Sequence, residues 1–218
     1  MTAPTRPYAA RLDVDYPKTL DRLSTAFRIF WIIPIAIVLG ALSAAATSSV
    51  TVITDTGQVV TQVSRTGGGI AGGLFAATLL MILFRRRYPR WWFDFALQFN
   101  RFGARVAAYA ALLTDRYPST VDEQSVHLDL DYPDAERDLS RWLPLVKWLL
   151  VIPHLIVLAF LFLGAFIAVI LAWFAILFTG RYPRGLFDYV VGVARWALRV
   201  SAYATLLITD RYPPFRLG

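Results

Sequence analysis

The chain has 218 residues, 57% hydrophobic and 17% charged, with a mean hydropathy of +0.52 and a formal net charge of +7. Soluble domains carry about a quarter charged residues, so this composition points to a bilayer, and the apolar excess is concentrated in blocks at 27–47, 68–84 and 142–178. Without cysteine, disulfides, thiolate nucleophiles and Cys-ligated metals are excluded.

Residues 1–25 contain Arg6, Arg11, Asp13, Asp15, Lys18, Asp21 and Arg22. They lack the basic start, apolar core and small-residue cleavage site of a signal peptide, so the first apolar block is expected to remain as an uncleaved anchor. The sequence then repeats itself. LDVDYP from Leu12 returns as LDLDYP from Leu128, IIPIAIVL from Ile32 as VIPHLIVL from Val151, and RYPRWWFD from Arg87 as RYPRGLFD from Arg181. LLTDRYP from Leu112 returns as LLITDRYP from Leu206, and Arg22, Arg28, Arg101 and Arg105 match Arg141, Lys147, Arg195 and Arg199. So many matches in one order predict a tandem duplication, with repeats at 1–119 and 120–218.

Each repeat reads as a short extended segment, an apolar hairpin, an RYPR junction, an amphipathic helix and a closing DRYP. The expected fold class is an all-α integral membrane protein of four membrane segments, paired in hairpins at about 27–84 and 142–178. Gly164 is the predicted turn of the second hairpin, which is also short enough to be re-entrant. Amphipathic helices follow at 91–114 and 185–209. The first hairpin carries an outer loop, 48–67, whose Val/Thr-rich runs flank Asp55, Thr56 and Gly57, the pattern of a small β-hairpin.

If each hairpin crosses and returns, every Lys and Arg except Arg65 falls on the side of the termini. The positive-inside rule then predicts a multi-pass protein of the bacterial cytoplasmic membrane with both termini cytoplasmic. The helices after the junctions carry a narrow polar stripe, Asp94, Gln98, Arg101 and Arg105 in the first and Asp188, Arg195 and Arg199 in the second. Three charges in a span cost more than its apolar residues return, so both helices are expected to lie at the interface, charged spans inside a bundle being the competing reading. Arg87, Arg90, Arg101, Arg105, Arg181, Arg184, Arg195 and Arg199 are the predicted contacts to anionic lipid headgroups, and Asp94 and Asp188 the predicted carboxylates of each helix's first turn. The residue before a proline leaves helical geometry, so Tyr88-Pro89 and Tyr182-Pro183 should end the preceding span.

RYPR-x-x-FD, the IPH-containing run at 152–158, WFAILFTGRYPRGLFD and the terminal TDRYPPF together resemble a bacterial membrane family known as domain of unknown function 4389 (DUF4389). The likeness is closest over roughly 139–215 and implies membrane location and domain limits. It implies no catalytic residue. In the first half RRRYPRWWFD replaces TGRYPRGLFD, and Ile35 stands where the second half has His154.

Other candidates are weaker. His154, next to Pro153, is an intramembrane ionisable group; with Pro34 it marks a transport path in a second reading of the chain as a small transporter or channel, against structural bonding of its ring. His127, Asp129 and Asp131 share one face of an alternating segment and resemble a metal half-site, but the matching Arg11, Asp13 and Asp15 favour an acidic strand face close to the arginine-rich helices. No Gly-rich phosphate loop, H-E-x-x-H or nucleophile elbow occurs. No cofactor, metal or nucleic-acid partner is expected, and the protein is not expected to be an enzyme; a lipid-modifying activity using Asp94 or Asp188 is the third reading. The leading expectation is a lipid-contacting scaffold or accessory subunit, with the outer loop 48–67 as its protein-docking element.

Overall fold

The structure is a computed structural model that describes residues 8–43, 46–53, 59–66, 69–120, 122 and 124–218, the stretch 41–71 by its backbone alone. Among these residues the chain forms β1 (Ala10–Val14), α1 (Arg22–Ala26), α2 (Arg28–Ser43), β2 (Ala46–Ile53), β3 (Val59–Thr66) and α3 (Gly69–Leu80). A π-helical turn, Met81–Arg85, follows, then α4 (Arg90–Ala110), β4 (Val126–Leu130), α5 (Pro144–Leu150), α6 (Ile152–Thr179) and α7 (Arg184–Ala204).

The alternating segments at the start of each half are strands that pair with one another. β1 and β4 are antiparallel, Leu12 opposite Leu128 and Asp13 opposite His127. With a side-chain period of two, Ala10, Val14, Val126, Leu128 and Leu130 are buried, while Arg11, Asp13, His127 and Asp129 face outward. β2 and β3 form the hairpin expected of the outer loop, Val50 opposite Gln62; its tip, with Asp55, Thr56 and Gly57, lies outside the described residues.

α4 and α7 begin at Arg90 and Arg184, immediately after Pro89 and Pro183, and each runs 21 residues. The preceding chain turns through a left-handed residue, Arg86 (φ 49°) in the first half and Gly180 (φ 69°) in the second. Both helices also end through a left-handed leucine, Leu112 (φ 63°) and Leu207 (φ 55°). A left-handed non-glycine residue costs about 1–2 kcal/mol, which burial of each leucine side chain offsets.

The strands are exchanged between the halves: β1 packs on α7 and β4 on α4. α7 is enclosed as a result. Tyr189, Trp196 and Val200 meet α6, while Leu198 and Ala202, on the other side, cluster with Ala10 and Leu128 of the sheet.

The four-segment architecture expected from sequence is not what the chain adopts. Residues 142–178 make no hairpin: α6 is one continuous helix of 28 residues, about 42 Å at about 1.5 Å per residue. Gly164 does not turn it. It lets α7 approach, since a Cβ there would stand 2.5 Å from the Tyr189 hydroxyl. A lone glycine costs a helix about 1 kcal/mol, too little to break an uninterrupted apolar run. In the first half α2 has 16 residues and α3 has 12, continued by the five of the π-helical turn, each shorter than the roughly 20 that a span needs. Among the described residues only α6 is long and apolar enough to span a membrane.

α6 has two distinct faces. His154, Leu158, Ala165, Ala168, Ala172 and Ile176 are buried, whereas Phe160, Leu163, Ile167, Phe174 and Phe178 on the opposite arc are at least half exposed. The molecule is thus layered: a charged two-stranded sheet, then α4 and α7, then apolar helix with its outer face uncovered.

Candidate functional site

The arginine stripes of α4 and α7 point at the protein's own strands and loops. Arg195 donates from Nε to the Leu12 carbonyl (2.8 Å) and from Nη2 to Asp13 Oδ1 (2.5 Å); Arg101 makes the mirrored pair to the Leu128 carbonyl (2.8 Å) and Asp129 Oδ1 (2.8 Å). Each helix is thereby tied to a strand from the other half. Arg105, buried, donates to the Ser119 carbonyl (2.7 Å). Arg199, also buried, holds the carbonyls of Gly218 (3.1 Å) and Arg216. Of the strand face proposed from His127, Asp129 and Asp131, Asp129 meets a helix arginine, whereas Asp131 pairs with Arg11 of the neighbouring strand and His127 with Asp15. Among the described residues no group of three His, Cys, Asp or Glu could hold a metal ion.

Two buried cations anchor the closing TDRYP segments. Arg28, 3% exposed, donates to the carbonyls of Tyr109 (3.2 Å) and Thr114 (2.5 Å), pairs with Asp115, and lies over the Tyr109 ring at 4.2 Å. Lys147, fully buried, donates to the Thr209 carbonyl (2.7 Å), pairs with Asp210 (2.7 Å), and lies over the Tyr203 ring at 4.8 Å. Each carboxylate also accepts a backbone N–H, Asp115 from Asp21 (2.7 Å) and Asp210 from Ser140 (2.5 Å). Burial pushes the Lys147 ammonium below its usual value, against which the bond and charge of Asp210 push it up.

His154 is sealed. Its Nδ1 accepts from Trp196 Nε1 (3.1 Å), and Phe215 stacks on its ring with centroids 3.9 Å apart. Pro153 beside it and Pro34 on α2 are exposed. α2 packs against α4, α3 and α1 while His154 packs under Trp196 of α7, so Pro34 and His154 belong to separate parts of the molecule.

The junction arginines stand differently. Arg87, Arg90, Arg181 and Arg184 are exposed, as are Asp94 and Asp188. Neither carboxylate lies in a first turn: the helices start directly after the prolines, which places Asp94 and Asp188 in the second turn. Arg90 sits 5.2 Å from the Tyr132 ring and Arg184 4.5 Å from that of Tyr16. Those tyrosines close the two junctions, Tyr132 Oη donating to the Tyr88 carbonyl and Tyr16 Oη to that of Tyr182 (2.5 Å). Burial pushes the Tyr88 phenol up to about 12. Around the first junction Arg85, Arg86 and Arg87 line one wall of a cleft of about 900 Å3 that Tyr132, Asp134 and Glu136 complete.

Sequence reading missed Arg85 and Arg86, the partners of the stripes, and the Lys147–Asp210 and Arg28–Asp115 pairs. A usable signal for those pairs existed: a cation at matched positions 28 and 147, and TDRYP twice, supplying a carboxylate for each.

Comparison with known families matches residues 141–216 to a domain of unknown function (DUF4389). No curated protein and no solved structure matches the chain. The match spans α5, α6 and α7, so residues 141–216 are similar to the domain of the DUF4389 family.

Proposed function

We propose that this is a membrane-embedded, non-enzymatic scaffold whose working surface contacts lipid. The carrying observation is the uncovered outer arc of α6, where Phe160, Leu163, Ile167, Phe174 and Phe178 stand exposed; contiguous apolar surface of this kind marks a membrane or protein contact. The layer order favours α6 lying along one leaflet. Were it to cross, the sheet running beside it would carry Arg11, Asp13 and Asp129 into hydrocarbon at roughly 2.5–3.5 kcal/mol each. Lying flat, α6 takes the acyl region, Arg85–Arg87, Arg90, Arg181 and Arg184 reach anionic headgroups, and the sheet and both chain ends face the cytoplasm.

The two halves are read as a duplication whose long helix is whole in one copy and split in the other. On the sequence matches, α2 corresponds to 147–162, and α3 with its π-turn to 163–179. The β2–β3 hairpin would then be an insertion between Ser43 and Gly69, and its two strands the proposed protein-docking element. Deleting residues 46–66 should remove co-purifying protein; an unchanged set of partners defeats the docking role.

Nitroxide labels on single cysteines test the membrane reading, since the chain has no native cysteine. In phosphatidylethanolamine/phosphatidylglycerol vesicles, labels at Phe160, Ile167 and Phe174 should be open to oxygen and closed to a water-soluble nickel chelate, at similar depths. Chelate access at all three refutes membrane embedding, and depths that pass through the bilayer centre refute the flat helix.

A further inference from the structure

The backbones of α4 and α7 approach one another little. A groove of about 850 Å3 separates them, floored by Leu12, Val14, Val126 and Leu128 of the sheet. One wall is the small-residue face of α4, including Gly103, Ala104 and Ala107; the other is Val193, Ala194 and Ala197 of α7. Phe162, Ala165, Phe166 and Val169, from the flank of α6, complete the lining.

Protein interiors fill such space with side chains, leaving few voids larger than a water molecule. Here the residue types that would fill it are withheld: a Cβ built on Gly103 meets nothing within 4 Å. Water finds few partners there, since only Asn100 and Ser201 among the lining residues have polar side chains. Each already makes one bond within its own helix region, Asn100 Nδ2 to the Ala96 carbonyl (2.8 Å) and Ser201 Oγ with Thr205 Oγ1 (2.7 Å). The size falls within the roughly 300–1,000 Å3 of small-molecule sites. A charged end has no place inside: no lining residue is charged, and the nearby Arg101 and Arg195 are turned to the strands.

We propose that this groove holds an acyl chain of a membrane lipid, which enters past the Phe162–Phe166 flank of α6 while its headgroup stays outside. Esterified lipid supplies the acyl chains of the leaflet, and with no cation in the lining to hold a carboxylate a free fatty acid gains no preference over it. This site rests on the membrane reading above, since α6 must face lipid for the groove to be supplied from the leaflet.

The full-length protein, reconstituted in phosphatidylethanolamine/phosphatidylglycerol vesicles, would be irradiated with a phosphatidylglycerol bearing a diazirine in its acyl chain. Crosslinked residues would be mapped by mass spectrometry. Adducts are expected on α4 around Gly103 and Ala107 and on α7 around Ala194 and Ala197, besides those on the outer arc of α6. Gly103→Leu, alone and with Ala194→Leu, should cut the α4 and α7 adducts at least tenfold and leave the α6 adducts unchanged, which also reports that the variants fold and insert. Adducts confined to the outer arc of α6 in the wild type overturn the groove while sparing the membrane reading; no adducts anywhere sink both. Undiminished α4 and α7 adducts in both variants overturn the groove, and labelling there by a diazirine fatty acid in place of the phospholipid overturns the esterified ligand.

Discussion

Asp210→Asn removes the charge that faces Lys147 while keeping the shape of the side chain. In the fold Lys147 has a side chain 1% exposed, Asp210 is 16% exposed, and the two lie 2.7 Å apart. Breaking a buried pair leaves one charge uncompensated and costs about 3–5 kcal/mol; the partial exposure of Asp210 places this case near 3. For a chain of this size 1 kcal/mol shifts Tm by about 2–4 °C, so the apparent Tm in mild detergent at a fixed scan rate should fall by about 6–12 °C. Lys147 has a second way out, release of its proton. Its folded pKa already lies below the ordinary value of about 10.4, and without Asp210 it falls further. Between the folded and unfolded values the unfolded chain binds the proton that the fold has given up, so the stability of Asp210→Asn rises as pH climbs through that window toward 10.4. The same window exists in the wild type but is narrower. Asp115→Asn is the control: Arg28 keeps its proton throughout, so its loss should be flat over the same pH range. A Tm within about 2 °C of wild type, or equal pH slopes for the two variants, would refute the account.

Gly164→Ala should lower stability by about 1–3 kcal/mol through its clash with the Tyr189 hydroxyl, and Tyr189→Phe in the same chain should recover most of that in thermal unfolding. Arg86→Gly, at φ 49°, should stabilise by about 1 kcal/mol and Gly180→Ala, at φ 69°, should destabilise by about as much; equal Tm values for both variants and wild type would contradict the left-handed geometry. Arg195→Ala and Arg101→Ala should speed amide exchange in β1 and β4 respectively, at a cost of about 1 kcal/mol because both ion pairs are partly exposed. A larger rise in the strand of the same half, β4 for Arg195→Ala and β1 for Arg101→Ala, would contradict the exchanged contacts.

The short elements were readable because their signals are local. Alternation marked β1 and β4, a proline after tyrosine marked where α4 and α7 begin, and Val/Thr runs marked the hairpin of β2 and β3. The number of long helices was not readable. An apolar stretch of 37 residues can be halved or run straight, and Gly164 looks the same as a turn as it does as a point of close approach by Tyr189. The polar stripe on α4 was also ambiguous, since a period of 3.6 says that Arg101 and Arg105 share a face without saying what meets it. A lipid phosphate, the Leu128 carbonyl and Asp129 are all acceptors; only the fold of strands from the far half decides. Lys147 was hidden for the same reason, its partner lying 63 positions away on a segment that reads as an exposed tail.

Because each strand sits on the other half's helix, neither half is whole by itself. Residues 120–218 alone would bring β4 without its neighbour and Arg195 without the Leu12 carbonyl and Asp13 that receive it. The cheapest remedy open to such a fragment is another fragment like itself, each lending β4 to the other across a two-fold axis. The intertwined single chain thus contains the plan of a dimer, and cutting it at residue 120 should yield paired molecules where a self-sufficient domain would yield lone ones.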